Sequence, residues 1–328
     1  MNTFKWAEPQ TVEQAAALLS KAGGKAVLMA GGTDLLGELK EGVVEPEVVI
    51  DLKSIFGLSY IKKEKDGLHI GAATPIAELI DSPVIRQEYK GLHEAARVIA
   101  SPQLRNIGTV GGNLCQRPRC WYYRDAAAVC RKKGGSLCFA SQGRNKYHAI
   151  IGGGVCFMVY PSDLAPMLIA LGAEATITGP KGDRKLPLAQ FYAPPLVNVQ
   201  KENVLGPDDI LRQVRIPPAK KGDKSAYLKF KERGAWDFAL VSAGVRGNVS
   251  GKSVDDLAIV MGGVAPFPWK AEKMEKALRG KRLTETVVAQ AAQAALEEAR
   301  PLEDNAYKKD LAVAVLTRAV LSLVEKPA

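Results

Sequence analysis

All five cysteines of this 328-residue chain fall between Cys115 and Cys156. The irregular segment that holds them is rich in Arg, Lys and Gly. A glycine-rich turn, Gly108-Thr109-Val110-Gly111-Gly112-Asn113, opens it, and Ser162-Asp163 closes it at an expected helix start. The chain must leave one ordered unit at the turn, cross the cysteine-bearing stretch and return at the helix. A secreted disulfide framework would spread its cysteines over the whole chain. An odd number gathered in one segment points to a metal site instead.

The flanking sequence divides into units, as a chain of this length must. Residues 4–8 read as a strand, and Thr11 with Gln14 forms a capping box ahead of Val12, Ala15, Leu18 and Leu19. A buried strand from Ala26 to Ala30, the turn Gly31-Gly32-Thr33-Asp34, a helical run to Lys40 and a strand over 48–52 complete an αβ unit, residues 1–55. A second unit, 56–218, opens with a hairpin turning at Asp66-Gly67 and has helices near 75–80 and 91–99. It carries the cysteine segment as an insertion at 115–156. Strands are expected at 149–151 and 155–159, then a helix from Ser162, strands on either side of 179–182, and a strand over Ile210–Ile216. Residues 217–222, Pro-Pro-Ala-Lys-Lys-Gly, are a linker by composition. Beyond it, over 222–326, three strands (226–231, 239–246, 256–261) precede three helices (near 270–279, 284–299 and 306–325), the order of a separate α+β domain.

Lys plus Arg is 45 against 35 for Asp plus Glu, a net charge of +10 that favours anionic partners. The basic residues come in short groups without interleaved aromatics, which argues against nucleic acid. No apolar run reaches the roughly 18–20 residues of a membrane span. The opening MNTFKWAEPQTVEQ has no charged region followed by an apolar core, so the expected compartment is the cytoplasm, with export on a partner's signal left open. No Ser-His-Asp set or carboxylate pair for hydrolysis stands out, and no catalytic side chain is assigned.

Two turns suit a phosphate. Glycines in Gly31-Gly32-Thr33-Asp34 let backbone N–H groups approach a diphosphate, and the helix that follows favours negative charge. Gly108–Asn113 has the same physics, with Thr109 and Asn113 adding side-chain groups. Two such turns in adjacent units could clamp one diphosphate from both sides. No G-x-G-x-x-G occurs, so an ordinary Rossmann site is not supported. The run Gly247–Ser253 imitates a P-loop with one residue too few and lies between strands, as a hairpin would.

Cys120, Cys130, Cys138 and Cys156 are separated by nine, seven and seventeen residues. Zinc sites favour close C-x2-4-C pairs, absent here, and only His148 is placed for mixed Cys/His ligation. Wide spacing suits a cubane cluster gripped from an irregular loop. Free buried thiols are the remaining reading. Cys115, just after Asn113, is expected in the wall of the phosphate-bearing site.

Taken together, Leu28–Asp34, Gln103–Asn113, Pro161–Ala165, Ile216-Pro217, Asp237–Ala239 and Gly262–Pro266 resemble the FAD-binding medium subunit of the xanthine dehydrogenase and carbon monoxide dehydrogenase family of molybdenum hydroxylases. The resemblance covers nearly the whole chain. The insertion of some forty residues between Asn113 and Asp163 resembles two branches of that family with a [4Fe-4S] cluster there: periplasmic-type aldehyde oxidoreductases and 4-hydroxybenzoyl-CoA reductase. The resemblance implies a two-subdomain α+β FAD-binding fold of the vanillyl-alcohol-oxidase type, followed by an α+β domain with a small antiparallel sheet and three helices. It implies FAD held by Leu28, Met29, Ala30, Gly31, Gly32, Thr33 and Asp34, and by Thr109, Gly111, Gly112 and Asn113, with Ile99, Asp163, Leu211 and Lys229 lining the flavin. The cluster ligands would be Cys120, Cys130, Cys138 and Cys156. Implied partners are a large molybdopterin subunit, a small subunit with two [2Fe-2S] clusters, and an external electron acceptor or donor such as ferredoxin. A zinc-stabilised nucleic-acid module is the alternative of a different class.

Overall fold

The structure, a computed structural model, describes residues 1–324, so the ends of the helix expected over 306–325 and of the domain expected over 222–326 lie outside the described residues. Strands β1 (Lys5–Ala7), β2 (Ala26–Met29) and β3 (Val48–Asp51) form a parallel sheet in the order β1-β3-β2. Helix α1 (Val12–Ala22) covers it with Val12, Ala15, Ala16 and Leu19, one apolar stripe at helical spacing. Burying a side chain such as Leu19 contributes roughly 1.5–3 kcal/mol. Thr11 accepts the Gln14 N–H at 3.1 Å, whereas the Gln14 side chain returns to the amide of Gln10 at 2.8 Å, one residue earlier than in a capping box. Helix α2 (Leu35–Lys40) follows the first glycine turn.

The second unit is a five-stranded antiparallel sheet with helices on it. Its strands are β4 (Ile61–Glu64), β5 (Gly67–Gly71), β6 (Glu174–Gly179), β7 (Gly182–Pro187) and β8 (Ile210–Ile216), in the order β4-β5-β8-β6-β7. Between β5 and β6 run α3 (Ile76–Asp81), α4 (Pro83–Glu88), α5 (Lys90–Arg97), α6 (Pro102–Ile107), α7 (Val110–Cys115), α8 (Trp121–Arg124) and α9 (Leu164–Ala170). Every residue of α9 is buried, which makes it the spine of the largest core.

The third unit has strands β9 (Asp223–Phe230), β10 (Val241–Ser250), β11 (Ser253–Gly262) and β12 (Trp269–Lys270) in an antiparallel sheet ordered β12-β11-β10-β9. Helices α10 (Glu272–Leu278), α11 (Glu285–Ala294) and α12 (Lys308–Leu321) pack into its core. The architecture is therefore the expected two-subdomain α+β fold with a C-terminal α+β domain. The P-loop imitation is a hairpin, with Gly251-Lys252 as its turn between β10 and β11.

One local expectation fails: no strands form at 149–151 or 155–159. Gly152 and Gly154 take left-handed backbone (φ 66° and 58°) and fold the segment back on itself, so Ala149 bonds the Phe157 carbonyl at 2.7 Å. The amides of Ile150 and Ile151 both reach one acceptor, the Val264 carbonyl, at 2.9 and 3.1 Å. A single shared acceptor cannot make a ladder.

Candidate functional site

The two glycine turns touch. A Cβ on Gly31 would lie 2.2 Å from the Ile107 carbonyl oxygen, so only glycine lets the β2–α2 turn close on the backbone that leads into α7. Between the turns opens a cleft of about 340 Å³. The whole run Leu28–Asp34 lines it, with Ile99, Thr109, Gly112, Asn113 and Asp163 opposite and Cys115 in the wall. The C-terminal domain adds Trp236, Asp237 and Phe238.

Three residues singled out by resemblance do not line the cleft. Gly111 is pressed against Ala72, whose side chain and carbonyl would each be 2.9 Å from an added Cβ. Leu211 is buried in β8 opposite Ile177. Lys229, on β9, stands behind Asp163 and donates to its Oδ2 at 2.8 Å, while Tyr227 donates to Oδ1 at 2.7 Å. Both carboxylate oxygens of Asp163 are thus engaged from the C-terminal sheet.

The first turn offers its backbone to the cleft. Among the described residues, the amides of Gly31, Gly32, Thr33 and Asp34 find no acceptor in the protein. Gly32, at φ 70°, holds the reversal that lets them converge. The second turn keeps its amides for itself: Val110 bonds the Thr74 carbonyl at 2.9 Å, Gly111 the Ala72 carbonyl at 2.7 Å, and Gly112 the Thr109 hydroxyl at 3.0 Å. Asn113 accepts at Oδ1 from the Ser162 hydroxyl at 2.6 Å, which joins the two ends of the insertion. The Ser162 hydroxyl in turn accepts the Ala165 amide, in the first turn of α9, at 3.0 Å.

Asp34 faces the insertion. Its carboxylate accepts from the Arg117 amide at 2.7 Å, from Arg124 at 2.5 Å and from Arg119. Four residues on, buried Glu38 accepts from the Tyr123 hydroxyl at 2.6 Å. Burial holds the Glu38 carboxyl above its ordinary range, partly opposed by that hydrogen bond. Charge reading alone gave these basic residues no role at the site. The signal available was Arg117, Arg119 and Arg124 in a loop with scarcely an acid to pair with.

Cys120, Cys130, Cys138 and Cys156 line one small cavity behind the cleft wall, with Tyr123, Lys132 and His148. Cys138 and Cys156 share a hydrogen bond that lowers the Cys138 thiol and raises Cys156. Burial pushes Cys120 up to about 11. His148 Nε2 lies 3.2 Å from the Cys120 sulfur, and burial lowers the ring to about 4, so it is neutral at pH 7. Its Nδ1 is buried, with no partner among the described residues. The Lys132 ammonium, itself buried, is 2.6 Å from Glu202.

The far end of the chain holds this loop down. Asp304 accepts the Asn145 amide at 3.0 Å, and Asn305 donates to the carbonyls of Asn145 and His148, both at 3.2 Å. Fully buried Lys308 donates to the carbonyls of Tyr147, His148 and Gly263 at 3.0, 3.1 and 2.8 Å.

Residues 2–219, which build most of the cleft, match the family described as the FAD binding domain in molybdopterin dehydrogenase. The chain belongs to that family. Residues 225–323 match the CO dehydrogenase flavoprotein C-terminal domain, so both parts of a family flavoprotein are present in order. The chain is 34% identical over 322 residues to the aldehyde oxidoreductase FAD-binding subunit PaoB of Escherichia coli K12, covering 95% of each chain. It is 30% identical to the carbon monoxide dehydrogenase medium chain of Hydrogenophaga pseudoflava, covering 97% of this chain and 96% of that one. Among solved structures, carbon monoxide dehydrogenase from the same organism superposes with a TM-score of 0.78 at 30% identity, over 98% of this chain and 97% of that one. No helix among the described residues is long and apolar enough to cross a membrane.

Proposed function

We propose that this flavoprotein is the FAD- and [4Fe-4S]-carrying electron-transfer subunit of a heteromeric molybdenum hydroxylase. FAD, when bound, supplies the exchange of one or two electrons. The chain's own part is to hold and orient it. Four free amides at the first turn are the donors a diphosphate requires, and α2 behind them adds the favourable end of its dipole. Asp163, pinned by Tyr227 and Lys229, presents a fixed carboxylate across the cleft. No acid–base residue is needed for this role.

The observation that carries the reading is the convergence of four cysteines on one cavity next to that cleft. Their donor set suits a cubane. A zinc ion, with Zn–S near 2.3 Å, would hold its sulfurs within about 4 Å of each other. Among the described residues, the one group of three or more ligand atoms lying within 4.8 Å of one another is Glu64, Asp66 and His69 on the β4–β5 hairpin. Among the described residues the four cysteines form no such compact group, although Cys138 and Cys156 lie within hydrogen-bonding distance of each other. The ligands would be Cys120, Cys130, Cys138 and Cys156, with Cys115 left to the flavin wall.

Partners follow from the same reading: a large molybdopterin subunit, a small subunit with two [2Fe-2S] clusters, and an external acceptor such as ferredoxin. The similarity to an aldehyde oxidoreductase subunit supports an aldehyde-type substrate, bound on the large subunit. The purified chain should show flavin absorption with a broad iron–sulfur shoulder, together with iron and sulfide. Cys138→Ser should lose iron and keep flavin. Unchanged iron in that variant, or a colourless zinc protein, would overturn the cluster.

A further inference from the structure

The wall between the cleft and the cysteine cavity is crossed by a chain of charges, buried at Glu202 and Lys132 and partly exposed at Arg117. Arg117 lines the cleft, Lys132 lines the cavity, and Glu202 joins them, 3.1 Å from the Arg117 Nε and 2.6 Å from the Lys132 ammonium. Glu202 is only 3% exposed, and the Lys132 side chain 1%. The Arg117 contact is ionic, without an aligned N–H, which leaves the guanidinium free to lie over the Tyr123 ring at 5.2 Å. Tyr123 itself lines the cysteine cavity while its hydroxyl reaches Glu38 in the cleft wall. The two sites therefore share side chains as well as a boundary.

Buried charges are screened far less than exposed ones, so a charge between two redox sites acts on both. We propose that Glu202 is a positioning residue that sets the potentials of the flavin and the cluster together. Its carboxylate holds one cation at each site and contributes the single negative charge of the bridge. Glu202 lines neither cavity, so its influence on both runs through Arg117 and Lys132. The inference rests on the cofactor assignment proposed above.

The test is a redox titration of the complete purified complex carrying Glu202→Gln, following flavin absorbance and the cluster's electron paramagnetic resonance. Removing the negative charge makes electron uptake easier at both centres, so both midpoint potentials should rise. Lys132→Gln removes a positive charge and should lower both, the cluster more than the flavin, and it carries the test if Glu202→Gln does not fold. A merely structural Glu202 would leave both potentials of the loaded complex in place. Movement of one potential alone, or of neither, overturns the bridge and leaves the cofactor reading intact. A wild-type complex without iron overturns both.

Discussion

The two glycine turns look alike in sequence and meet at one cleft, yet they use their backbones in opposite ways. Gly31–Asp34 lines the cleft and leaves its amides without acceptors among the described residues, while the amides of Val110, Gly111 and Gly112 are all bonded within the protein. The first turn is a donor surface and the second a buttress that the first leans on through Gly31 and Ile107. A phosphate-binding glycine run is thus recognised by what its N–H groups lack, which residue type alone does not reveal.

The sharpest way to break the contrast is at Asp34, where the donor turn is tied to the insertion. Asp34→Ala leaves Arg119 and Arg124 facing each other with their shared carboxylate gone. Thermal unfolding should show a loss of about 3 kcal/mol, the upper end for charge-assisted hydrogen bonds to a partly buried carboxylate, and iron content should fall with it. Next come the glycines. Gly31→Ala and Gly111→Ala each force a close contact and should cost about 1–3 kcal/mol. Only Gly31→Ala should also weaken FAD retention on gel filtration, because it pushes the donor turn off its support. Equal flavin loss in the two folded variants would erase the distinction.

The smallest effect concerns Glu38, in the helix behind the donor turn. Burial raises its carboxyl, so the native state keeps a proton that the unfolded chain has released. Its contribution to stability therefore falls as pH rises from the ordinary glutamate value of about 4.3 through the raised one. Glu38→Gln, which can still accept from Tyr123, should match the wild type in melting at pH 4. It should exceed it by about 1 kcal/mol or less toward pH 7. A variant less stable than wild type at pH 7 would show that the Arg117 and Arg124 charges outweigh burial.

Much of the fold was legible because local pattern and tertiary structure agree. The strand over Ile210–Ile216, the hairpin at Asp66-Gly67 and the Thr11 cap all stand where periodicity and turn chemistry place them. The apolar runs at 149–151 and 155–159 misled, because three consecutive glycines and an irregular partner at Val264 deny them a ladder. In the site, the resemblance picked out the run Leu28–Asp34 that lines the cleft, but it could not separate residues facing the cleft from those supporting it, such as Gly111 and Lys229. Arg117 and Glu202 escaped because they pair eighty-five residues apart in sequence, and the burial of Lys132 escaped because its partner Glu202 lies seventy residues on. Nothing local marks a lysine as buried.

The clasp that Asn305 and Lys308 place on the Tyr147 and His148 carbonyls carries a consequence in time. Asn305 follows Asn145, and Lys308 follows His148, by 160 residues, so a ribosome has delivered the cysteine loop long before the side chains that fasten it exist. The nascent loop passes through synthesis with its thiols unfastened, and the pocket acquires its final shape only when α12 folds down. On the proposed cluster reading, iron–sulfur loading would follow the synthesis of Asn305 and Lys308, and a truncation just before Asn305 would strand the loop open however intact the first two units were.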